Sequence, residues 1–285
     1  MKVGYVGIFG LTNSGKSTLL NTLVGQKVSI VSNKDQTTLV PIYGILTKED
    51  YQIIFIDTPG IQKPHSYFDT IVQNNIKGAT LGLDIIIHLV DEKYSPKDDY
   101  VLSLYRELNL PVILAINKLD LLRTNEKVDE IIISFLNKYN YQAYIPLSST
   151  NKKNVDHLLE EIIKLLPSGQ FIYDPEEVTN QTMNRLICDI VREKTTYFTA
   201  ADVKSGFYVE ITHHDEQNYY LEIVVAKENH KKMIIGTGAS VIKKIKLLAK
   251  KDLKRNYDLN INLELFVKVD ENWKENINKI NSKAF

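Results

Sequence analysis

Eight residues near the start, Gly10-Leu11-Thr12-Asn13-Ser14-Gly15-Lys16-Ser17, constrain this chain more than any other stretch. They fit the spacing G-x-x-x-x-G-K-[ST], follow an apolar run at 3–9 and lead into a helical pattern at 18–24. A strand, a glycine-bearing loop and a helix in that order build a phosphate cradle. Glycine lets backbone N–H groups turn inward and approach phosphate oxygens closely, and the helix N-terminus adds its partial positive charge. The candidate phosphate-binding residues are Gly10, Asn13, Ser14, Gly15, Lys16, Ser17 and Thr18. In such a cradle Lys16 reaches the β- and γ-phosphates and Ser17 ligates Mg²⁺.

Further apolar runs at 52–56, 84–90 and 112–116 read as buried parallel strands. Helical patterns at 100–108, 128–138 and 155–165 alternate with them. The alternation predicts an α/β fold with a doubly wound, mostly parallel sheet, whose ligands bind at the carboxyl ends of the strands. Pro167, Ser168 and Gly169 close this region, so a first domain is expected over 1–168 and an extended linker over 169–180. The remainder, 181–285, has a different order: a helix at 181–196, a hairpin of 207–212 and 219–226, a short helix at 230–234, a basic helix at 239–256 and a strand at 259–269. That order predicts a smaller α+β domain.

Two more elements follow predicted strands. Asp57-Thr58-Pro59-Gly60 comes after 52–56, where Asp57 suits a metal-holding role and Gly60 can offer its N–H to a γ-phosphate. Asn117-Lys118-Leu119-Asp120 comes after 112–116. The Asp120 carboxylate can accept from guanine N1–H and its exocyclic amine, whereas adenine sets a lone pair against it. An acceptor left unpaired costs ~1–3 kcal/mol, more when charged, so discrimination can reach ~10⁴. Lys118 can lay its stem along the base, and Asn117 can tie this loop to the phosphate loop. Ser148 and Ser149 are placed to offer a backbone N–H to the guanine carbonyl. Four elements in this order resemble the translation-factor type of GTPase.

In that resemblance the segment 32–40 is the first switch, and Thr38 closes over Mg²⁺ and the γ-phosphate, with Thr37 beside it as the alternative. Lys16, Thr38, Gly60 and Asn13 are the candidate catalytic residues. Ile61 stands where many GTPases carry a water-positioning glutamine. Asn13 is therefore assigned a K⁺, bound through its side-chain oxygen where an arginine finger would otherwise lie.

Residues 227–255 hold ten basic side chains and two acids, a net +8, so the rest of this neutral chain sums to −8. Such asymmetry points to a polyanionic partner. Within it, Ile235, Gly236, Thr237, Gly238, Ala239, Lys243 and Lys244 belong to a stretch that resembles the I-G-x-x-G-x-x-I-x-x-I signature of KH domains, whose loop clamps single-stranded nucleic acid. Ala239 occupies the last loop position in place of glycine, and Thr237 stands where lysine is common.

The two parts, joined through Asp174-Pro175-Glu176-Glu177-Val178-Thr179-Asn180-Gln181, resemble the Era family: a Ras-like G domain of the Era/TrmE type followed by a type II KH domain. Gln26-Lys27-Val28-Ser29-Ile30, Gln36-Thr37-Thr38 and Arg192-Glu193-Lys194 add to it, while Leu39 and Lys204-Ser205 depart from the family pattern. The resemblance implies GTP and GDP as ligands, GTP hydrolysis, binding of the 3′ end of small-subunit ribosomal RNA rather than DNA, and a role in 30S maturation. It further implies a monomer in the cytoplasm with peripheral contact at the inner membrane. No apolar run reaches the ~18 residues of a membrane span. The strand at the start leaves no room for a leader, which also predicts a cytoplasmic or mature organellar protein. Cys188 is the single cysteine, and the six histidines show no metal-ligand spacing. Two other readings of the same residues are an RNA-binding module with a vestigial GTPase and a P-loop kinase of small molecules, which Asp120 disfavours.

Overall fold

A computed structural model of the chain describes residues 1–31, 41–58, 78, 80, 82–122, 124–199 and 207–273. Thr37, Thr38, Leu39, Gly60, Ile61 and Lys204-Ser205 lie outside them. The described residues fall into two units, one ending at Asn180 and the other beginning at Gln181.

In the first unit, β1 (Lys2–Phe9), β2 (Ile42–Thr47), β3 (Tyr51–Asp57), β4 (Ile85–Val90), β5 (Val112–Ile116) and β6 (Ala143–Pro146) form one sheet in the order β2-β3-β1-β4-β5-β6. All neighbours are parallel except β2, which runs antiparallel to β3 at the edge. The period-two alternation of each strand divides its side chains between two cores. Val6, Ile8, Phe55, Ile87, Leu89 and Ala115 pack beneath α1 (Lys16–Val24) and the helix Val155–Leu165. Phe9, Ile86, Val90, Leu114 and Ile116 pack on the opposite face with the helices Asp98–Ser103 and Asn125–Phe135. Burial on both faces explains why the inner strands read as continuous apolar runs. The helix expected at 100–108 is shorter. After Ser103, i→i+3 bonds from Leu104 and Tyr105 tighten the chain into turns.

His88 interrupts the apolar run of β4 and is fully buried. Its Nδ1 lies 2.8 Å from Tyr105 Oη and 3.1 Å from Tyr141 Oη, and its ring meets Phe135 edge-on. Burial, with Lys16 adding to it, pulls its pKa down to about 3, so it stays neutral.

The segment expected as a linker is bonded to this sheet. Buried Gln52 on β3 accepts from Ile172 N and Tyr173 N through Oε1 and donates to the Tyr173 carbonyl through Nε2. Ile45 N donates to the Val178 carbonyl, and Gly44 bridges to Thr179.

The second unit runs helix Met183–Phe198, β7 (Phe207–His214), β8 (Asn218–Val225), helix Glu228–Ile235, a single 3₁₀ turn Thr237–Ala239, a long helix Ser240–Tyr257 and β9 (Asn262–Val269). β8 pairs antiparallel with β7 and parallel with β9. Ile187, Ile190, Leu221, Ile223, Ile234, Ile245, Leu253 and Leu263 form its core. β9 begins later than 259 because Asp258 caps the long helix in a left-handed conformation, φ 53°. Trp273 is buried, with its ring 5.4 Å from that of Tyr208.

Candidate functional site

The parallel register carries the ends of β1, β3, β4 and β5 to one edge of the sheet, with Ile8 opposite Asp57, Phe9 opposite His88 and Val90 opposite Ile116. The phosphate loop leaves β1 there. A Cβ on Gly10 would meet the Leu89 carbonyl at 2.3 Å, so β4 runs too close for any side chain. Asn13 and Gly15 take left-handed φ values of 66° and 97° and turn the loop into α1. Lys16, Ser17 and Thr18 open that helix, where amides lack intrahelical partners. Lys16 Nζ donates to the Gly10 and Leu11 carbonyls at 2.9 and 2.8 Å. Burial lowers its pKa to about 8, against the opposing pull of Asp57 and then Asp91.

Asp57 lies directly beside this lysine-bearing loop and is fully buried. Its Oδ2 accepts from Ser17 Oγ at 2.7 Å and from Ser29 Oγ at 2.8 Å. Burial raises its pKa, while Ser17, Lys16 and Ser29 act to lower it. Its Oδ1 is buried without a partner among the described residues. A buried carboxylate oxygen of this kind, next to a serine hydroxyl, suits a hard divalent cation or the water on one.

The 117–120 loop is braced to the phosphate loop. Asn117 Nδ2 donates to the Ser14 carbonyl at 2.8 Å, and its Oδ1 accepts from Ser149 N and Ser149 Oγ at 3.0 and 2.9 Å. Ser148 Oγ donates to Asp120, which is exposed. Lys118 has φ 60°, and its Nζ lies 2.6 Å from Asp91 Oδ2. Both backbone N–H groups assigned to a base carbonyl are occupied: Ser148 N donates to the Lys153 carbonyl and Ser149 N to Asn117. The next amide, that of exposed Thr150, carries no such bond among the described residues. Thr18 and Ser149 are also joined, since Thr22 Oγ1 reaches the carbonyl of each.

In the second unit Ile235 ends the helix Glu228–Ile235 and Gly236 turns the chain with φ 71°. A Cβ there would lie 2.6 Å from Val241 Cγ2 and 2.9 Å from Val241 N. Thr237 and Gly238 are exposed, and Ala239 caps the next helix with a left-handed φ of 61°. Lys243 and Lys244 follow in its first turns, exposed and without a carboxylate partner among the described residues. Lys246 and Lys250 instead tie the helix to Glu264 and Asn262.

A profile for the family described as 50S ribosome-binding GTPase matches residues 5–118, and one for the KH domain matches residues 203–274. The chain is 39% identical to the GTPase Era of Caldanaerobacter subterraneus subsp. tengcongensis over 283 residues, covering 96% of this chain and 95% of that one. The chain belongs to the Era GTPase family. The GTPase Era of a Thermoanaerobacter species is 37% identical with 96% and 93% coverage. An Aquifex aeolicus Era variant bound to GDP·AlF4⁻ superposes with a TM-score of 0.92 at 33% identity, covering 99% of both chains. An Era complex with MgGDPNP and nucleotides 1506–1542 of 16S ribosomal RNA superposes with a TM-score of 0.91 at 33% identity, covering 99% and 98%. The doubly wound sheet followed by a KH domain is thus the Era fold, as the sequence motifs implied. No helix among the described residues is long and apolar enough to cross a membrane.

Three residues at this site escaped the motifs. Ser29 lies in a stretch noted only for its family likeness. Asp91 is one position beyond a predicted strand. Thr150 follows the two serines.

Proposed function

We propose that this Era-family GTPase is a switch that binds the 3′ end of 16S ribosomal RNA through its KH unit and assists maturation of the 30S subunit. The observation that carries the reading is the Asn117 bridge, which joins Ser14 to Ser149 and makes the phosphate and base elements one frame. The related Era bound to MgGDPNP and a 16S ribosomal RNA fragment supports the RNA half, as do the exposed loop 237–238 and Lys243 and Lys244 beside it.

In this reading the amides of Gly15 to Thr18, with Lys16, hold the phosphates. Asp120 accepts from the guanine N1–H and amine, and the base, once seated, shields that exposed carboxylate from water. The guanine carbonyl takes the Thr150 N–H, while Ser148 and Ser149 brace Asp120 and Asn117. Lys118 lays its stem along the base. Ser17 and Asp57, joined by Thr38, hold Mg²⁺, which neutralises charge developing on the phosphates. Thr38 and Gly60 order on the γ-phosphate and release after hydrolysis. Asn13 ligates K⁺, and equal turnover in KCl and NaCl would remove that element. A monomeric state, a cytoplasmic location and peripheral membrane contact complete the proposal.

The test is a change of base. Asp120→Asn exchanges an acceptor pair for one that presents an amine donor, which matches the 2-carbonyl of xanthine. Its preference should move from GTP to xanthosine triphosphate, with GTP use falling ~10²–10⁴-fold. An unchanged GTP preference would sink the base reading. Crosslinking in cells followed by RNA sequencing tests the other half, and reads away from the 16S 3′ end would overturn it.

A further inference from the structure

The geometry around Lys118 points to a partner that none of the motifs contains. Asp91 follows Val90, the last residue of β4, and the Val90 carbonyl accepts from Asn117 N at 2.7 Å. Continued by one residue, the register of β4 and β5 sets Asp91 opposite Asn117, with Lys118 the next residue along, within reach of its side chain. Their side chains meet at 2.6 Å and are 24% and 35% exposed, which screens the pair less than a fully solvated one. Both line a cleft of about 740 Å³ beside the phosphate loop, together with Thr12 and Asn13. The acids Glu92 and Asp98 line it too, but Asp98 Oδ2 is held by Ser95 through N and Oγ at 2.8 and 2.9 Å.

A lysine stem has four methylenes, and fixing it costs up to ~2 kcal/mol of rotamer freedom. A carboxylate that pins the ammonium before the base arrives removes part of that cost from the binding step. We infer that Asp91 is a positioning residue for guanine nucleotides, whose carboxylate anchors Lys118 so that the lysine stem is set to cover one face of the base. This rests on the reading of Lys118 given above. Asp91 also favours the protonated form of Lys16, so an effect on the base must be separated from one on the phosphates.

The experiment measures release of fluorescent GDP from the full chain in Asp91→Ala, Lys118→Ala and the double variant, with inorganic tripolyphosphate as a competitor that has no base. Asp91→Ala should speed GDP release about two- to fivefold. Lys118→Ala should do at least as much, the double variant should be no faster than Lys118→Ala, and tripolyphosphate affinity should hold. Should Asp91→Ala not fold, Asp91→Asn keeps the shape, removes the charge and carries the same comparisons. If Lys118→Ala accelerates release and the Asp91 variant does not, the inference falls and the reading of Lys118 stands. If Lys118→Ala has no effect, the reading of Lys118 falls and takes the inference with it. Fully additive effects, or an equal loss of tripolyphosphate affinity, would also overturn the role assigned to Asp91.

Discussion

Ser29→Ala isolates a single hydrogen bond. Ser29 Oγ donates to Asp57 Oδ2 in a place closed to solvent. The Ser29 backbone is fixed independently, because Asn21 Oδ1 accepts from Val28 N and Ser29 N and Asn21 Nδ2 donates to the Ser29 carbonyl. The loop should therefore keep its course when the hydroxyl is removed. A hydrogen bond to a charged group contributes ~1.5–3 kcal/mol. That energy belongs to the ionised carboxylate, so its loss lifts the pKa of Asp57 further. Burial already holds this carboxyl above its ordinary range. The folded state thus binds the proton more tightly than the unfolded one, and nucleotide-free protein loses stability as pH rises from the unfolded value toward the folded one. Protons also compete with the metal for Asp57, and more so at lower pH. The Mg²⁺ concentration for half-maximal GDP retention should rise ~10-fold in the variant, with a larger increase near about pH 6 than near about pH 8. Release of fluorescent GDP titrated with Mg²⁺ at both values reads this out. Identical Mg²⁺ dependence of variant and parent at the lower pH would refute the claim that Ser29 sustains the Asp57 charge.

Three further outcomes follow from the same geometry. Burial sets Lys16 near a pKa of about 8 in the nucleotide-free chain. Its grip on phosphate is present below that value and lost above it, so GTP affinity should fall about fourfold between about pH 7 and about pH 8.5; a flat affinity by calorimetry would refute it. A Cβ on Gly15 would lie 2.3 Å from Asn117 Nδ2 at φ 97°. Gly15→Ala should therefore cost ~2–4 kcal/mol of GTP binding through strain and a lost Asn117–Ser14 bond, and a Kd within a few-fold of the parent would contradict this. Ala239 pays for its left-handed φ of 61°, so Ala239→Gly should raise KH-unit stability by up to ~1 kcal/mol after the added chain entropy is subtracted. A lower melting transition of that unit in the full chain would count against it.

The phosphate loop was legible because its chemistry is local: Gly10, Gly15, Lys16 and Ser17 occupy eight consecutive positions, and the glycines are required by their own backbone and by close neighbours. The inner strands were legible for a related reason, since burial on both faces leaves few polar positions to blur the run. His88 shows the limit. One polar residue in such a run is accommodated only because Tyr105 and Tyr141 arrive from elsewhere in the chain. Ser29 and Asp91 were invisible because their roles depend on which strand ends meet, and a serine or an acid in a loop has many other uses. The bonds from Ser148 N to the Lys153 carbonyl and from Ser149 N to Asn117 Oδ1 could not be read from the sequence either, because they depend on how the loop closes in space. The edge strand β2 gave a weak signal, because it lies at the sheet edge and partly exposed positions such as Tyr43, Leu46 and Thr47 break its buried run.

β2 also shows why the stretch beyond Pro167 belongs with the sheet it follows. Its outer rim would otherwise offer unpaired amides at Ile45 and Tyr43, and Gln52 would lose backbone partners inside the protein. Open rims of this sort recruit strands from other molecules. A shortened chain ending at the last nucleotide-unit helix should therefore be prone to self-association, whereas one carried through to Asn180 keeps its seam closed.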